Sequence, residues 1–328
     1  MLQSILAQTF QNFEVIITDD CSTDKSVEIV ESYMPKFNGK LILSRMKKNS
    51  GGPGAPTNKA IAHARGKYIF QADNDDLLMS NALETLYNVA EHFKADVVHT
   101  ARHAFFKDNP ANPFPARENL KVTQSFINNI MLAPENPGER IKIFCMGIID
   151  VPGWQKFVRR DFLIENEIKL QENVEAGQDL PWTIELVFYA KRWVHIPNPI
   201  YIYRSHSDSL SVRERLGAES IKYRGELLAK IVEFLCKFFV KQKFFQENPQ
   251  YVWMLLDWLE RRFSQNFGIA LLTVPPHEAQ KVLAENFAEE FGLHASLIAY
   301  LCTSVNVSRL KEKQYLQKIK ELEQRLKN

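Results

Sequence analysis

The chain has 328 residues, of which 45% are hydrophobic and 24% charged, and its formal net charge is +2. This length and composition are typical of a soluble globular protein with more than one structural unit, and the small net charge excludes a general nucleic-acid binder. The four cysteines are too far apart for a CxxC metal site, and neither a transmembrane run nor a secretory signal is present, so we expect a cytoplasmic protein.

Strands and helices alternate through the first hundred residues. A β-branched run that ends in acid predicts a buried strand at residues 15–19, and a second strand follows at 41–43. The other predicted elements here are the end of a helix at 1–10, helices beginning near residues 22 and 56, a strand at 68–73, a helix at 80–94 and a strand at 96–99. This alternation predicts a three-layer α/β/α domain with a mostly parallel sheet.

The pattern changes near residue 212. Before that point we predict a loop at 107–119, a strand at 143–149, helices at 159–166 and 179–191, and a strand at 194–203. After it the sequence is helical. The predicted organisation is therefore an α/β domain at 1–212, a helical domain at 213–306 and a charged helical tail at 307–328.

The helical domain mixes Leu and Phe with basic residues that include Lys230, Lys237 and Lys241. One interpretation is a basic amphipathic face that makes peripheral contact with a membrane. The other is a helical bundle whose apolar side is buried. The tail is too short for a stable coiled coil alone, but it could contribute to a homo-oligomer.

Three carboxylates occur within four positions at the end of the predicted strand 68–73. Asp73, Asp75 and Asp76 form what we call the acidic turn, residues 73–76. Clustered negative charge is self-repelling unless a cation neutralises it, and carboxylate oxygens are preferred by Mg²⁺ and Mn²⁺. The run predicts a metal site that serves a phosphorylated substrate. The alternative is a solvated acidic turn before a helix.

A second acidic pair, Asp19 and Asp20, ends the first predicted strand. Because carboxyl ends of parallel strands share one edge, both acidic clusters are expected to face one pocket. The alternative for Asp19 and Asp20 is a helix cap. Between the clusters lies the glycine loop, residues 49–54, which leads into a helix N-terminus suited to an anion. It lacks the Gly-Lys-Ser/Thr ending of a P-loop.

Two further candidates lie downstream. Asp179 follows Gly177-Gln178 directly before an apolar helix, where an isolated Asp is often an N-cap. Arg204 and His206 lie in a run of Tyr, Ser and Asp, and they suit a diphosphate or a metal-bound leaving group; the alternative is a polar surface loop.

The order of these motifs resembles the family-2 glycosyltransferases with the GT-A fold. The resemblance covers about residues 1–212 and is carried by QTFQNFEVIITDDCSTD at 8–24, NSGG at 49–52, Asn58, Gly66, DNDD at 73–76, residues 157–166, GQD at 177–179 and YIYR at 201–204. The glycine loop is most similar to bacterial transferases that decorate wall teichoic acid, and capsule and lipopolysaccharide enzymes are also similar.

The resemblance implies an inverting transfer of sugar from a nucleotide-diphosphate sugar, commonly a UDP-sugar, to a hydroxyl of a surface glycopolymer, teichoic acid or lipid-linked acceptor, with Mg²⁺ or Mn²⁺ as cofactor. It implies that Asp179 is the general base and that Asp75 and Asp73 hold the metal. The residues it implies at the donor are Asp19, Asp20, Asn49, Gly51, Asn58, Asp73, Asp76, Arg204 and His206.

The chain departs from the family pattern at three places. Thr57 stands where the family usually has Arg, and Gln178 where it usually has Glu. The family also begins with an apolar strand that this sequence lacks, so we expect a truncated or mis-assigned start that leaves residues 15–17 without a ladder neighbour.

Two rival functions follow from the residues. A nucleotidyltransferase would need a basic Gly-rich signature near the N-terminus, which is not found. A non-catalytic scaffold subunit is favoured by the absent strand and opposed by the intact Asp75 and Asp179.

Overall fold

The computed structural model describes residues 1–107, 120–172, 174–206 and 217–270, and the side chains of 217–221 and 264–270 are left aside. The chain divides into two compact units, Met1–Arg213 and Glu214–Asn328. Only residue 107 of the predicted loop at 107–119 is described. The predicted tail at 307–328 lies wholly outside the described residues. In the described part, no helix has the length and apolar character needed to span a bilayer.

The first unit combines strands and helices. Its strands are β1 (Val15–Asp19), β2 (Leu41–Arg45), β3 (Tyr68–Phe70), β4 (Leu77–Leu78), β5 (Val97–Thr100), β6 (Ala104–Lys107), β7 (Lys121–Val122), β8 (Met131–Leu132), β9 (Lys156–Arg159), β10 (Trp193–Ile196) and β11 (Tyr201–Ser205). Its helices are α1 (Leu2–Leu6), α2 (Ser26–Tyr33), α3 (Gly54–His63), α4 (Ala82–Phe93), α5 (Pro137–Cys145), α6 (Arg160–Glu165) and α7 (Asp179–Tyr189).

The strands form three sheets, ordered β1-β2, β3-β9-β5-β10-β8 and β4-β11-β6-β7. Only the β1–β2, β5–β10 and β6–β11 ladders of the described residues are parallel, so the prediction of a mostly parallel sheet is wrong. The cause is visible at β9, which pairs antiparallel with both β3 and β5. Gln155 donates from Nε2 to the carbonyl of Thr100 at 3.2 Å, so β9 starts beside the end of β5 and must run back along it.

The sheet is interrupted between β1 and β3. Among the described residues β1 pairs only with β2, and β3 only with β9. The two strands nevertheless start close together, because the Glu14 carboxylate accepts from the backbone N–H groups of Arg65 at 2.6 Å and Gly66 at 2.9 Å. Their side chains also share one hydrophobic cluster.

The predicted strand at 143–149 is wrong, because helix α5 continues to Cys145 and turns follow it. Asn136 caps this helix by accepting from the N–H groups of Gly138 at 2.8 Å and Glu139 at 3.3 Å, and Pro137 occupies its first turn. This is the standard start of a helix, with a side-chain acceptor at the cap and proline at the first position. The predicted strand at 194–203 is divided into β10 and β11.

The core of the first unit lies between α4 and the central strands. Ala82, Leu86 and Ala90 recur at helical spacing on α4 and are fully buried. They belong to one cluster with Val98 of β5 and Val194 of β10. The predicted amphipathic helix near 80–94 is thus present and holds the strands whose ends carry the site.

The second unit is helical as far as it is described, with α8 (Gly217–Lys241), α9 (Lys243–Glu247) and α10 (Pro249–Ala270). Leu228, Ile231 and Leu235 of α8 are buried within it. This burial supports the bundle interpretation. Peripheral membrane contact through the basic side of α8 stays a prediction.

Candidate active site

The acidic turn is joined to the end of β11 by a pair of side chains. His206 Nε2 lies 2.8 Å from Asp75 Oδ2, although the two residues are far apart in sequence. The side chain of Asp75 is 39% exposed and that of His206 is 19% exposed. Sequence reasoning placed both residues at the leaving group, and the structure brings them together.

Asp76 faces inward instead of toward solvent. It is 1% exposed, and its Oδ1 accepts from the backbone N–H of Arg204 at 2.7 Å. Its Oδ2 accepts from the Tyr201 hydroxyl at 2.7 Å, and that hydroxyl accepts from the Asp73 N–H at 3.0 Å. Burial raises the pKa of Asp76 to about 6, although both of these donors lower it. Asp76 therefore fixes β11 to the acidic turn, and its predicted donor contact stays a prediction.

Tyr201 is a key residue that belongs to the YIYR motif, but the sequence alone gave its side chain no role. We expect Tyr201→Phe to lower the free energy of unfolding by about 1–3 kcal/mol, because it leaves a buried carboxylate oxygen and a backbone N–H without their partner. Denaturant unfolding measures this change. Tyr87→Phe is the control, since no hydrogen bond of that hydroxyl is recorded in the described part of the chain. Equal stability of the two variants would contradict the bracing role.

Asp179 is the first residue of α7 and lies on the other side of the acidic turn. Gln178 occupies the N-cap position without a side-chain cap bond, so the alternative prediction that Asp179 caps the helix is wrong. Burial raises the pKa of Asp179, while the Lys156 charge and the Gly153 N–H act to lower it. The carboxylate is thus held by one backbone donor and one nearby cation.

Several shielded acceptors near Asp179 have no donor in the described part of the chain. They are Asp179 Oδ1, Gln178 Oε1 and Gln71 Oε1. A β-carbon built on Gly153 would lie 2.6 Å from Gln71 Oε1 and 3.1 Å from Asp179 Oδ1, so the two oxygens flank the same backbone position. Buried acceptors without donors are costly, and a bound hydroxyl group can satisfy them.

Negative charge accumulates at the centre of the site. Desolvation by the surrounding protein, followed by the carboxylates of Asp179, Asp76 and Asp75, raises the pKa of Asp73 to about 7. A cation would relieve this repulsion. Within the described residues no three His, Cys, Asp or Glu side chains are close enough together to hold a metal. Asp75 and His206 still fit Mg²⁺ or Mn²⁺, since such ions often take one or two protein ligands and complete their shell with substrate phosphates and water.

The first acidic pair lies at the carboxyl end of β1. Asp19 accepts from the Ser22 N–H at 3.2 Å and lines a cavity of about 410 Å³ together with Arg45 and Met46. None of the acidic turn residues lines this cavity, so the expectation that both acidic clusters face one pocket is not confirmed. Asp20 faces the glycine loop, where it accepts from the Ser50 N–H at 3.0 Å and the Ser50 hydroxyl at 2.8 Å.

The glycine loop is packed against backbone. A β-carbon on Gly52 would lie 1.9 Å from the Val174 carbonyl oxygen, and one on Gly54 would lie 1.9 Å from that of Gln171. Asn58 adds a bond in each direction with Leu170, at 2.9 and 3.0 Å. We call this arrangement the loop clamp: the glycine loop and Asn58 against residues 170–172 and Val174. Here Gly52 and Gly54 permit close backbone packing, which differs from the predicted anion cradle.

The remaining two donor candidates of the loop have local partners. Asn49 donates from Nδ2 to the Asp20 carbonyl at 2.9 Å and accepts from the Gly51 N–H at 2.9 Å. Gly51 has φ of +79°, which favours glycine. The proposed donor contacts of Asn49, Gly51 and Asn58 stay predictions.

We expect Gly52→Ala to destabilise the first unit by about 2–4 kcal/mol, because its β-carbon meets a backbone carbonyl that can only yield by moving residues 170–174. Thermal unfolding measures the loss. Gly66→Ala is a matched control, since its nearest contact would be an ordinary 3.4 Å. A Gly52→Ala variant as stable as the control would show that the clamp is not rigid.

The sequence alone gave no role to Lys156 or to Tyr201. Lys156 begins the short strand β9, directly before Phe157 and Val158, and is fully buried. The signal was weak in the sequence, because β9 also ends in the charged Arg159, and lysine is seldom fully buried unless its charge is paired.

Comparison with known proteins matches residues 1–157 to "Glycosyl transferase family 2". A poly(ribitol-phosphate) beta-glucosyltransferase of Bacillus spizizenii is 30% identical over 194 residues, which are 58% of this chain and 27% of that protein. A cholesterol galactosyltransferase of Borreliella burgdorferi is 29% identical over 244 residues, 72% of this chain and 63% of that protein. The chain thus spans less than two thirds of either relative.

The fold is similar to that of a crystal structure of S. aureus TarS 1-349 in complex with UDP-GlcNAc. The TM-score is 0.55 at 22% identity, and the match covers 95% of this chain and 87% of that one. At this identity the likeness supports the fold alone. The family 2 glycosyltransferase match thus applies to residues 1–157, and the chain is similar to bacterial teichoic-acid sugar transferases.

Proposed function

We propose that this chain is an inverting, metal-dependent glycosyltransferase that moves a sugar from a UDP-sugar to a hydroxyl of a bacterial surface glycopolymer or lipid-linked acceptor. The observation that carries the proposal is the placement of Asp179. Its Oδ1 is shielded and has no donor in the described part of the chain, and its carboxylate is electrostatically coupled to the acidic turn through Asp73. A free carboxylate beside a cation site suits the deprotonation of an incoming hydroxyl.

Two regions of the site would bind the sugar donor. The cavity beside Asp19 has room for a nucleoside, and a carboxylate there can accept hydrogen bonds from ribose hydroxyls or a base. Asp75 and His206, with Asp73, would hold Mg²⁺ or Mn²⁺, which stabilises the negative charge of a departing diphosphate. Arg204 would assist at the same diphosphate.

Asp179 would act as the general base on the acceptor hydroxyl. Taking a proton from the acceptor hydroxyl raises its nucleophilicity, and a single displacement then inverts the anomeric centre. Gln71 Oε1 is a shielded acceptor near this carboxylate and can receive a further acceptor hydroxyl. Acceptor binding would thereby satisfy groups that the protein leaves without donors.

The relatives support the choice of substrate class. One is described as acting on poly(ribitol-phosphate) and another as a cholesterol galactosyltransferase, so both name hydroxyl acceptors and sugar donors. The UDP-GlcNAc complex of TarS supports a UDP-sugar donor. We propose action in the cytoplasm at the inner face of the membrane, with the helical unit making peripheral contact or joining copies of the chain.

A donor screen tests the proposal without an identified acceptor. A panel of nucleotide sugars is added with Mn²⁺, and thermal shift and slow UDP release are recorded for the parent and for Asp179→Asn. We expect a UDP-sugar to raise the Tm of both proteins and to release UDP only with the parent. Binding without release from any donor would favour a non-catalytic scaffold, and neither binding nor release would reject the proposed function.

A further inference from the structure

Lys156 is a buried lysine whose direct partners are all uncharged. Burial lowers its pKa to about 7, while the carboxylates of Asp179 and Asp150 act to raise it, and three accepting carbonyls match the three N–H groups of the ammonium form. Lys156 is 0% exposed, and its Nζ donates to the carbonyls of Asp150 at 2.6 Å, Val151 at 3.0 Å and Pro152 at 2.8 Å. Three consecutive carbonyls therefore converge on one ammonium group. They fix the backbone of residues 150–153, which we call the Lys156 loop.

The Lys156 loop ends at the backbone group that contacts Asp179. The backbone N–H of Gly153 acts on the Asp179 carboxylate and lowers its pKa. The contact is close, since a β-carbon on Gly153 would lie 3.1 Å from Asp179 Oδ1. Thr183 of α7 also donates to the Val151 carbonyl at 2.8 Å, so the loop is tied to the helix that carries Asp179. A shift of this loop would move the donor of the carboxylate.

The ammonium group also acts on Asp179 through space. No ion pair within 4.0 Å joins them in the described part of the chain, so the carboxylate is not masked. The charge nevertheless lowers the pKa of Asp179, and in a poorly solvated site such an interaction is weakly screened. Asp73 is the carboxylate that faces Asp179 from the acidic turn, and Asp150 and His99 are the other titratable groups around Lys156.

We propose that Lys156 is a positioning residue for Asp179, which it keeps ionised and oriented through its charge and through the Lys156 loop without forming an ion pair with it. The inference rests on the proposed function, in which Asp179 is the base. In this inference Lys156 does not touch the substrate, but it controls the protonation state of Asp179, which does.

Lys156→Met tests the proposal, because it removes the charge and keeps much of the side-chain volume. We expect kcat to fall about 10- to 100-fold at pH 7 while the KM for the donor stays within about twofold. Loss of a nearby positive charge raises the pKa of Asp179, so the acidic limb of the kcat profile should move about one unit to higher pH. A purely structural role would leave that limb in place.

Arg140→Met is the matched control. Arg140 is another buried cation held by backbone carbonyls, namely those of Pro134, Glu135, Val187 and Phe188. The carboxylates that act on its pKa are Asp96 and Glu135, not Asp179. Its removal should lower stability and leave the pH profile unchanged. An identical pH profile in Lys156→Met would overturn the proposal.

A second measurement is independent of turnover. Carboxyl ¹³C NMR of aspartate-labelled protein, assigned with Asp179→Asn, gives the pKa of Asp179 directly in the absence of substrates. A pKa that rises in Lys156→Met supports the inference even if no donor is ever turned over, whereas failure of turnover in the parent rejects only the proposed function. Should Lys156→Met not fold, Lys156→Arg retains the charge and should keep the parental pKa; a raised pKa in that variant would contradict the inference.

Discussion

Replacing Asp179 with Asn is expected to abolish sugar transfer while the donor still binds. The amide keeps the size of the side chain and can still accept from the Gly153 N–H, so the start of α7 should be preserved. It cannot take a proton from an acceptor hydroxyl, and general-base catalysis is typically worth about 10²–10⁴ in rate. Initial rates of UDP release with acceptor present, together with donor Kd from calorimetry, measure the two effects separately.

The control for this prediction is Asp161→Asn, an equally conservative change at a carboxylate that is 68% exposed on the surface of α6. It should retain parental rates. If Asp179→Asn transfers sugar at more than a tenth of the parental rate, another group accepts the proton and the assignment of the base is wrong. If donor binding is lost as well, Asp179 belongs to the donor site.

Replacing Asp75 with Asn is expected to reduce transfer by at least about 100-fold and to weaken the activation by Mn²⁺. An amide is a poorer ligand than a carboxylate, and it also removes one of the four negative charges that make the centre attractive to a cation. Titration of activity against Mn²⁺ concentration, for the parent and for Asp75→Asn, measures the shift in metal dependence.

Chelation provides the companion test. Activity of the parent should disappear in excess EDTA and return when Mn²⁺ is restored, and Asp161→Asn should behave in the same way. Full activity in EDTA would show that the acidic turn stabilises the leaving group without a metal. His206→Ala should then have the larger effect, because the imidazole 2.8 Å from Asp75 would be a remaining hydrogen-bond donor for the departing diphosphate at that end.

Much of the site was predictable because polar residues at strand and helix ends are visible in a sequence. The pairing of Asp75 with His206 follows from the convergence of two strand ends, and Asp179 was placed by its position before an apolar helix. The family match over residues 1–157 confirms the resemblance that ordered these motifs.

Other parts depend on contacts that no local pattern records. The glycine loop looked suited to an anion, but Gly52 and Gly54 are required by the backbone of residues 170–174, more than a hundred positions away. The inward orientation of Asp76 depends on Tyr201, which lies on a distant strand. The direction of β9 depends on where α5 and the turn after it end relative to β5. The hydrophobic periodicity of the sequence does not contain this information.

The false strand at 143–149 has a different cause. Its apolar residues suit a strand as well as a helix, and the deciding signal lies upstream, where Asn136 and Pro137 start a helix. Short apolar runs are ambiguous until their ends are considered.

The loop clamp connects the proposed donor side of the site to the segment that leads into α7. The glycine loop approaches residues 170–172 and Val174 closely, and only a few positions later the chain enters α7 at Asp179. Because backbone contacts this close cannot yield on one side alone, we expect displacement of the glycine loop by a nucleotide to shift these residues and with them the start of α7. We therefore expect ordered kinetics, with the donor binding first, and random-order product-inhibition patterns would contradict this.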